Sequence, residues 1–279
     1  MKGLLRMMMV VCLCGVALTD AASAQAAKGK KGACLITGKA NAGVWKDKVA
    51  ALKPFWHYSW GGELPGKEPV GVEFVPMIWG CGAVDEKFSA YLKRVERGAK
   101  EAKSRCLLGF NEPDGEKQAN MPVERALQAW PKLMDTGLRL GSPATVHPDN
   151  EWMKSFMKQA AEKKYRVDFV CMHWYGGPNA AGLIKKLEQV HQLYGKPIWI
   201  TEFAVADWNA KTRAANKHSP ETVLRFMKEV LPQLDKLDYV ERYAWFSASE
   251  DSAPLGPSAL FRADGTLTEL GKAYAAYGR

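Results

Sequence analysis

From residue 32 to the C-terminus, eight short apolar segments alternate with stretches of amphipathic sequence, and this alternation limits the chain to an α/β architecture. The segments run over 32–37, 54–60, 72–79, 105–111, 139–146, 167–174, 197–204 and 240–247. Each is short, and several are apolar almost throughout. Both properties suit parallel strands buried on two faces beneath a layer of helices. The connections carry a 3.6-residue period: Phe88, Tyr91, Leu92, Val95 and Ala99 share one face, as do Leu183, Ile184, Leu187, Val190 and Tyr194. Ser219 followed by Pro220 gives a cap and a first helical position for the stripe Val223, Leu224, Met227, Val230, Leu231 and Leu234. Between the second and third segments, 61–71 are too short and too rich in Gly and Pro for a helix. The expectation is a single compact (β/α)8 TIM-type barrel over 32–279 with its second helix missing or rudimentary. An open doubly wound sheet fits less well, because no Gly-rich phosphate turn follows the first strand.

The first 24 residues have the pattern of an export signal. Lys2 and Arg6 precede an apolar run from Met7 to Leu18, and Ala22-Ser23-Ala24 offers a small-residue cleavage site before Gln25. A run this short falls below the roughly 20 residues needed to span a bilayer. Residues 25–31 are expected to form a flexible leader. The mature protein is expected to be a secreted or periplasmic monomer with no membrane association after signal cleavage. Four cysteines then remain, Cys34, Cys81, Cys106 and Cys171. Three of them sit in strand-like apolar runs, where buried free thiols are the usual outcome, although an exported chain could bridge them. The formal charge of +9 is not gathered in a stripe. Basic and acidic residues alternate, as in Lys93-Arg94-Val95-Glu96-Arg97, which argues against a nucleic-acid partner.

Two acids stand where burial makes them costly. Glu112 follows the fourth apolar strand and Glu202 lies inside the seventh. Either alone could cap a turn or pair with a buried cation. Strands four and seven, however, face each other across an eight-stranded ring, and catalytic groups of such barrels gather at the C-terminal strand ends. Two converging carboxyl groups are what glycoside hydrolysis uses. Sugar rings present apolar C–H faces, and Trp60, Trp79, Trp174, Tyr175 and Trp245 near strand ends are candidate platforms for them. Tyr58 is a further candidate contact, and His173 a hydrogen-bonding one. No second His lies at ligand spacing on its element, so no metal and no cofactor are expected. Trp208 and the Ser249-Glu250-Asp251 run are expected to be solvated loop residues. A Ser-His-Asp hydrolase is disfavoured by the absence of a Gly-x-Ser-x-Gly elbow.

Several segments together resemble glycoside hydrolase family 128: 56–61 (Trp-His-Tyr-Ser-Trp-Gly), 74–80, 108–114 (Leu-Gly-Phe-Asn-Glu-Pro-Asp), 173–175 (His-Trp-Tyr), 199–204 (Trp-Ile-Thr-Glu-Phe-Ala) and the closing turn at 260–268. The resemblance implies a compact barrel, retaining endo-β-1,3-glucanase activity, Glu112 as acid/base, Glu202 as nucleophile, and Asn111 as a hydrogen-bond partner of the sugar 2-hydroxyl. A β-glucan polysaccharide or oligosaccharide is the implied substrate. Retaining cleavage of another β-glycan (a β-1,4-glucan or a mannan) and a non-catalytic carbohydrate-binding barrel are the alternatives. The sequence departs from the family's usual pattern at 34–41 and at His57-Tyr58-Ser59-Trp60, both near the strand ends that would hold the non-reducing part of the substrate. Retention would place the two carboxyl groups roughly 5–5.5 Å apart.

Overall fold

In the computed structural model, residues 29–37, 43–63 and 66–278 are described. The expected signal, most of the expected leader, and Gly38-Lys39-Ala40-Asn41 lie outside them. Among the described residues the eight expected strands are present: β1 (Lys31–Cys34), β2 (Trp56–Tyr58), β3 (Glu73–Phe74), β4 (Cys106–Leu107), β5 (Arg139–Leu140), β6 (Val170–Gly176), β7 (Ile198–Val205) and β8 (Val240–Phe246). Parallel pairing runs β3-β2-β1-β8-β7-β6 and β4-β5. Parallel bridges Met77↔Leu108 and Gly141↔Phe169 join the two sheets at both seams, so the ring closes. The β4–β5 seam is tight enough to demand glycine, since a Cβ on Gly109 would stand 2.8 Å from the Gly141 carbonyl oxygen.

Around the barrel lie α1 (Trp45–Leu52), α2 (Glu86–Glu101), α3 (Val123–Met134), α4 (Glu151–Glu162), α5 (Ala180–Tyr194), α6 (Pro220–Lys236) and α7 (Glu269–Ala276). Their starts follow local chemistry. Asp85, Asn150, Asn179, Ser219 and Thr268 each accept a hydrogen bond from a first-turn amide, satisfying donors that the helix leaves unpaired. On α2 the expected stripe is buried at Phe88, Leu92, Val95 and Ala99. Each of the larger members removes apolar area worth about 1.5–3 kcal/mol. No helix lies among the described residues between β2 and β3. Instead Glu68 reaches from that connection to the fully buried His57 on β2, at 2.5 Å, and Tyr91 of α2 accepts from the Gly62 amide at 3.1 Å.

The first strand begins one residue earlier than expected. Lys31, assigned to the leader by its charge, is buried in β1, and its ammonium donates to the Tyr274 and Tyr277 carbonyls at the end of α7. Among the described residues no helix is long and apolar enough to cross a membrane. Cys34, Cys81, Cys106 and Cys171 are all buried free thiols.

The barrel interior is a period-two register. Trp56 and Tyr58, Val75 and Met77, Cys106 and Leu108, Phe169 and Cys171, and Trp199 pack together inside. Ile198, Ile200, Tyr243 and Trp245 instead join the cluster between strands and helices. At the end from which the strands start, the Arg242 guanidinium lies 4.3 Å from the Trp199 ring centroid and pairs with Glu73 at 2.6 Å.

Candidate active site

Continuing the interior rows toward the C-terminal ends of the strands leads to the polar residues. On β6, Phe169 and Cys171 are followed two residues on by His173 and then by Tyr175. On β7, strict alternation would group Glu202 with Ile198 and Ile200, against the helices. A bulge prevents this. Met172 pairs with Ile200 but His173 pairs with Glu202, so Thr201 is an extra residue, and the pairing with β8 shifts over the same span. The bulge turns Glu202 inward, which is a known use of such irregularities. On β4 the chain leaves extended geometry at Glu112, whose φ is 40°. Its amide donates to Ala144 at 2.6 Å, and its carbonyl accepts from Gly115 at 2.9 Å. Holding a branched-chain-free but non-glycine residue in this left-handed region costs about 1–2 kcal/mol, and here it aims the carboxyl group across the barrel.

His173 lies between the two glutamates. Its Nδ1 is 2.9 Å from Glu112 Oε1. Its Nε2 is 3.4 Å from Glu202 Oε1, an ion-pair contact without hydrogen-bond alignment. Burial pulls the imidazole toward neutrality, but the charge of Glu202 together with the hydrogen bond and charge of Glu112 outweighs it. Its pKa is therefore raised above the usual histidine value. Neutral donors also converge on Glu202: Trp60 Nε1 donates to Oε1 at 2.7 Å, Tyr58 OH donates to the same oxygen at 3.2 Å, and Tyr175 OH donates to Oε2. A buried carboxylate supplied with several donors recovers much of the hydration it gives up. Both tyrosines are held protonated, with phenol pKa values pushed well above their ordinary level by burial and by the Glu202 charge. Asn111 is buried. Its Nδ2 donates to Gln118 at 3.3 Å, while Oδ1 has no partner among the described residues.

These groups form the floor of a cleft of about 840 Å³. That volume suits a ligand of several rings. Trp60, Trp79, Asn111, His173, Trp174 and Tyr175, all nominated from the sequence, border it. Two expected contacts do not. Trp245 is fully buried on the helix side of β8, T-shaped on Phe203 and donating to the Ser258 carbonyl at 2.9 Å. Its neighbour Phe246 occupies the cleft-facing position, because one step along a strand changes the face. Tyr58 is fully buried and acts on Glu202 from below, out of reach of substrate. Trp208, expected to be simply solvated, is 57% exposed but borders the cleft and sits T-shaped on Tyr175 at 5.7 Å. Glu250, from the run beside it, accepts from the Ala263 amide and pairs with Arg213.

Sequence reading also missed the wall built by Val146, Pro148, Asp149 and Lys186. It is tied to the Glu112 turn by Asp114, which accepts from Val146 N and Asn150 Nδ2, and to α5 by a 2.9 Å Lys186–Asp149 pair. Only the exposure of Val146, 40%, marks it as unusual, and that is not visible in one dimension. Among the described residues, no group of three or more His, Cys, Asp or Glu is arranged to hold a metal ion.

A closed parallel barrel carrying two facing glutamates at the floor of an aromatic cleft is the constellation of a glycoside hydrolase. Residues 34–274 match the family described as glycosyl hydrolase catalytic core. Similar solved structures include a subgroup I endo-β-1,3-glucanase of glycoside hydrolase family 128 from Amycolatopsis mediterranei, a glutamate-to-alanine variant in complex with laminaripentaose. It is 36% identical, with 89% of this chain and 99% of that chain covered and a TM-score of 0.76. A subgroup II endo-β-1,3-glucanase from Sorangium cellulosum is 29% identical, with 89% and 98% covered and a TM-score of 0.70. Alkali-sensitive linkage protein 1 of Schizosaccharomyces pombe is 32% identical over 231 residues, 78% of this chain. This chain spans 39% of that relative's length. The chain belongs to the glycosyl hydrolase catalytic core family and, within it, to glycoside hydrolase family 128.

Proposed function

We propose that this chain is an exported, retaining endo-β-1,3-glucanase in which Glu202 is the nucleophile and Glu112 the acid/base. The observation that carries the reading is the Glu112–His173–Glu202 bridge, which sets two carboxyl groups one imidazole apart beneath the cleft. Direct attack by a carboxylate rests on the family resemblance of the segments around both glutamates, and it requires the two carboxyl groups to stand roughly 5–5.5 Å apart. Glu202, with donors on both oxygens, is organised as the ionised partner. It attacks the anomeric carbon while Glu112 passes a proton to the departing glycosidic oxygen. Water then cleaves the glycosyl ester, with Glu112 taking the proton back. Asn111 Oδ1, buried and without a partner among the described residues, is placed to accept from a sugar hydroxyl beside the bond being cut. The β-1,3 linkage rests on the likeness to enzymes solved with laminari-oligosaccharides, and export rests on the pattern of residues 1–24.

The test is a linkage panel: wild type and Glu202→Gln on β-1,3-, β-1,4- and mixed-linkage glucans and on mannan, with product size and anomeric configuration recorded. Cutting of the β-1,3 polymer by wild type alone, with β-configured first products, is expected. Activity confined to another polymer would overturn the linkage. Activated aryl glycosides with azide then assign the roles, Glu202→Ala yielding an α-glycosyl azide and Glu112→Ala a β-glycosyl azide. The reverse pattern would exchange them.

A further inference from the structure

Trp79 stands between two cavities. One is the catalytic cleft. The other is a depression of about 500 Å³ bounded by Gly80, Cys81, Gly82, Asn120, Met121 and Arg125. The indole is 41% exposed, and among the described residues no aromatic ring stacks on it, an unusual position for so large an apolar surface. The depression is registered to the acid/base by backbone hydrogen bonds. Asn111 N donates to the Trp79 carbonyl at 2.9 Å, Ala119 N to Asn111 at 3.3 Å, and Met121 N to Pro113 at 2.8 Å. Its floor is apolar, where Met121 Sδ accepts from the Cys81 amide, and its rim carries Arg125, which donates to the Gly82 carbonyl. A flat indole with polar groups at its edge suits the apolar face and equatorial hydroxyls of a pyranose.

We propose that the substrate path continues out of the cleft, over Trp79, into this depression, which binds further glucosyl units of the same linear chain. The inference rests on the glucan reading above and deepens it: the enzyme selects long chains over short ones. Its basis is the continuity of the two cavities across a shared, uncovered indole.

Gly82 supplies the probe. It is exposed, with a φ open to any residue, and a Cβ built on it meets nothing within 4 Å. Gly82→Trp therefore fills the depression without displacing the core, and Gly82→Ala is the control for the backbone. On an aryl β-laminaribioside, which lies within the cleft, all three proteins are expected to show the same kcat/KM. On a linear β-1,3-glucan polymer, Gly82→Trp is expected to lose about tenfold, equivalent to about 1.4 kcal/mol, while Gly82→Ala keeps the wild-type value. Equal efficiency on the polymer, or parallel losses on both substrates, overturns the proposal. So does a loss seen with a side-branched glucan but not with the linear one, which would assign the depression to a branch. Affinity electrophoresis in gels containing the linear polymer repeats the comparison without catalysis, using Glu202→Gln with and without Gly82→Trp. Weaker retardation of the double variant supports the extended path even if the proposed hydrolysis fails, and equal retardation overturns it.

Discussion

Trp60→Phe isolates how much the donors beneath Glu202 contribute to catalysis. The indole Nε1 donates to Glu202 Oε1 at 2.7 Å, closer than Tyr58 OH on the same oxygen. A hydrogen bond to a charged group contributes about 1.5–3 kcal/mol, which corresponds to about 10- to 150-fold in rate. Tyr58 OH remains on the same oxygen at 3.2 Å, and Tyr175 OH remains on the other. The loss is therefore expected at the low end, about tenfold in kcat/KM. Phenylalanine keeps an aromatic ring against Tyr58 and Phe246, which Trp60 contacts with centroids 5.2 and 5.9 Å away. It also meets the same backbone demand at φ 58°. The assay is hydrolysis of an aryl β-laminaribioside, whose activated leaving group reports on the proposed nucleophile more than on sugar contacts, run beside a thermal melt. Retention of kcat/KM within about twofold would refute the view that this donor organises the nucleophile. A large fall in melting temperature would move its role to folding.

His173 gives a pH signature. Its pKa is raised, so the stabilisation from its cation is full below the unfolded value of about 6.5 and is lost as pH rises through the higher folded value. Wild type should lose melting temperature as pH rises beyond about 6.5, and His173→Gln should flatten that limb while losing most activity; parallel curves would refute the assignment. Glu68→Ala removes the partner of fully buried His57, which sits between Trp45 and Phe74. A cost of about 3 kcal/mol in urea unfolding is expected, with Glu68→Gln milder, and a cost below about 0.5 kcal/mol would show the latch to be unimportant. Trp245→Ala and Trp208→Ala should separate core from cleft. The first is expected to destabilise by about 3–5 kcal/mol. The second should raise KM with stability changed by less than about 0.5 kcal/mol, and a shared phenotype would refute their placement on opposite faces.

Glu112 and Glu202 stood out in one dimension because an acid inside or at the end of an apolar strand is costly to bury, and the two fall on strands that face each other across the ring. The helices were legible for an equally local reason: Phe88, Leu92, Val95 and Ala99 repeat at the helical period, and that pattern needs no partner to be read. The absence of a helix among the described residues between β2 and β3 followed from the breakers there in the same way. What lay beyond the sequence was decided by pairing between distant strands. Trp245 and Phe246 are adjacent aromatics, and only the register of β8 against β1 and β7 sends one to the helices and the other to the cleft. Glu202 itself would face the helices under simple alternation. The extra residue at Thr201, visible only when β6 and β8 are laid beside β7, turns it to meet His173. The wall at Val146, Asp149 and Lys186 draws on residues that tertiary contacts bring together, as does the depression behind Trp79. Composition and periodicity determined the barrel and nominated its two acids, since both depend on the local balance of burial and hydration. The aim of each side chain and the shape of the cleft came from closing the ring, where a one-residue difference in register exchanges inside for outside.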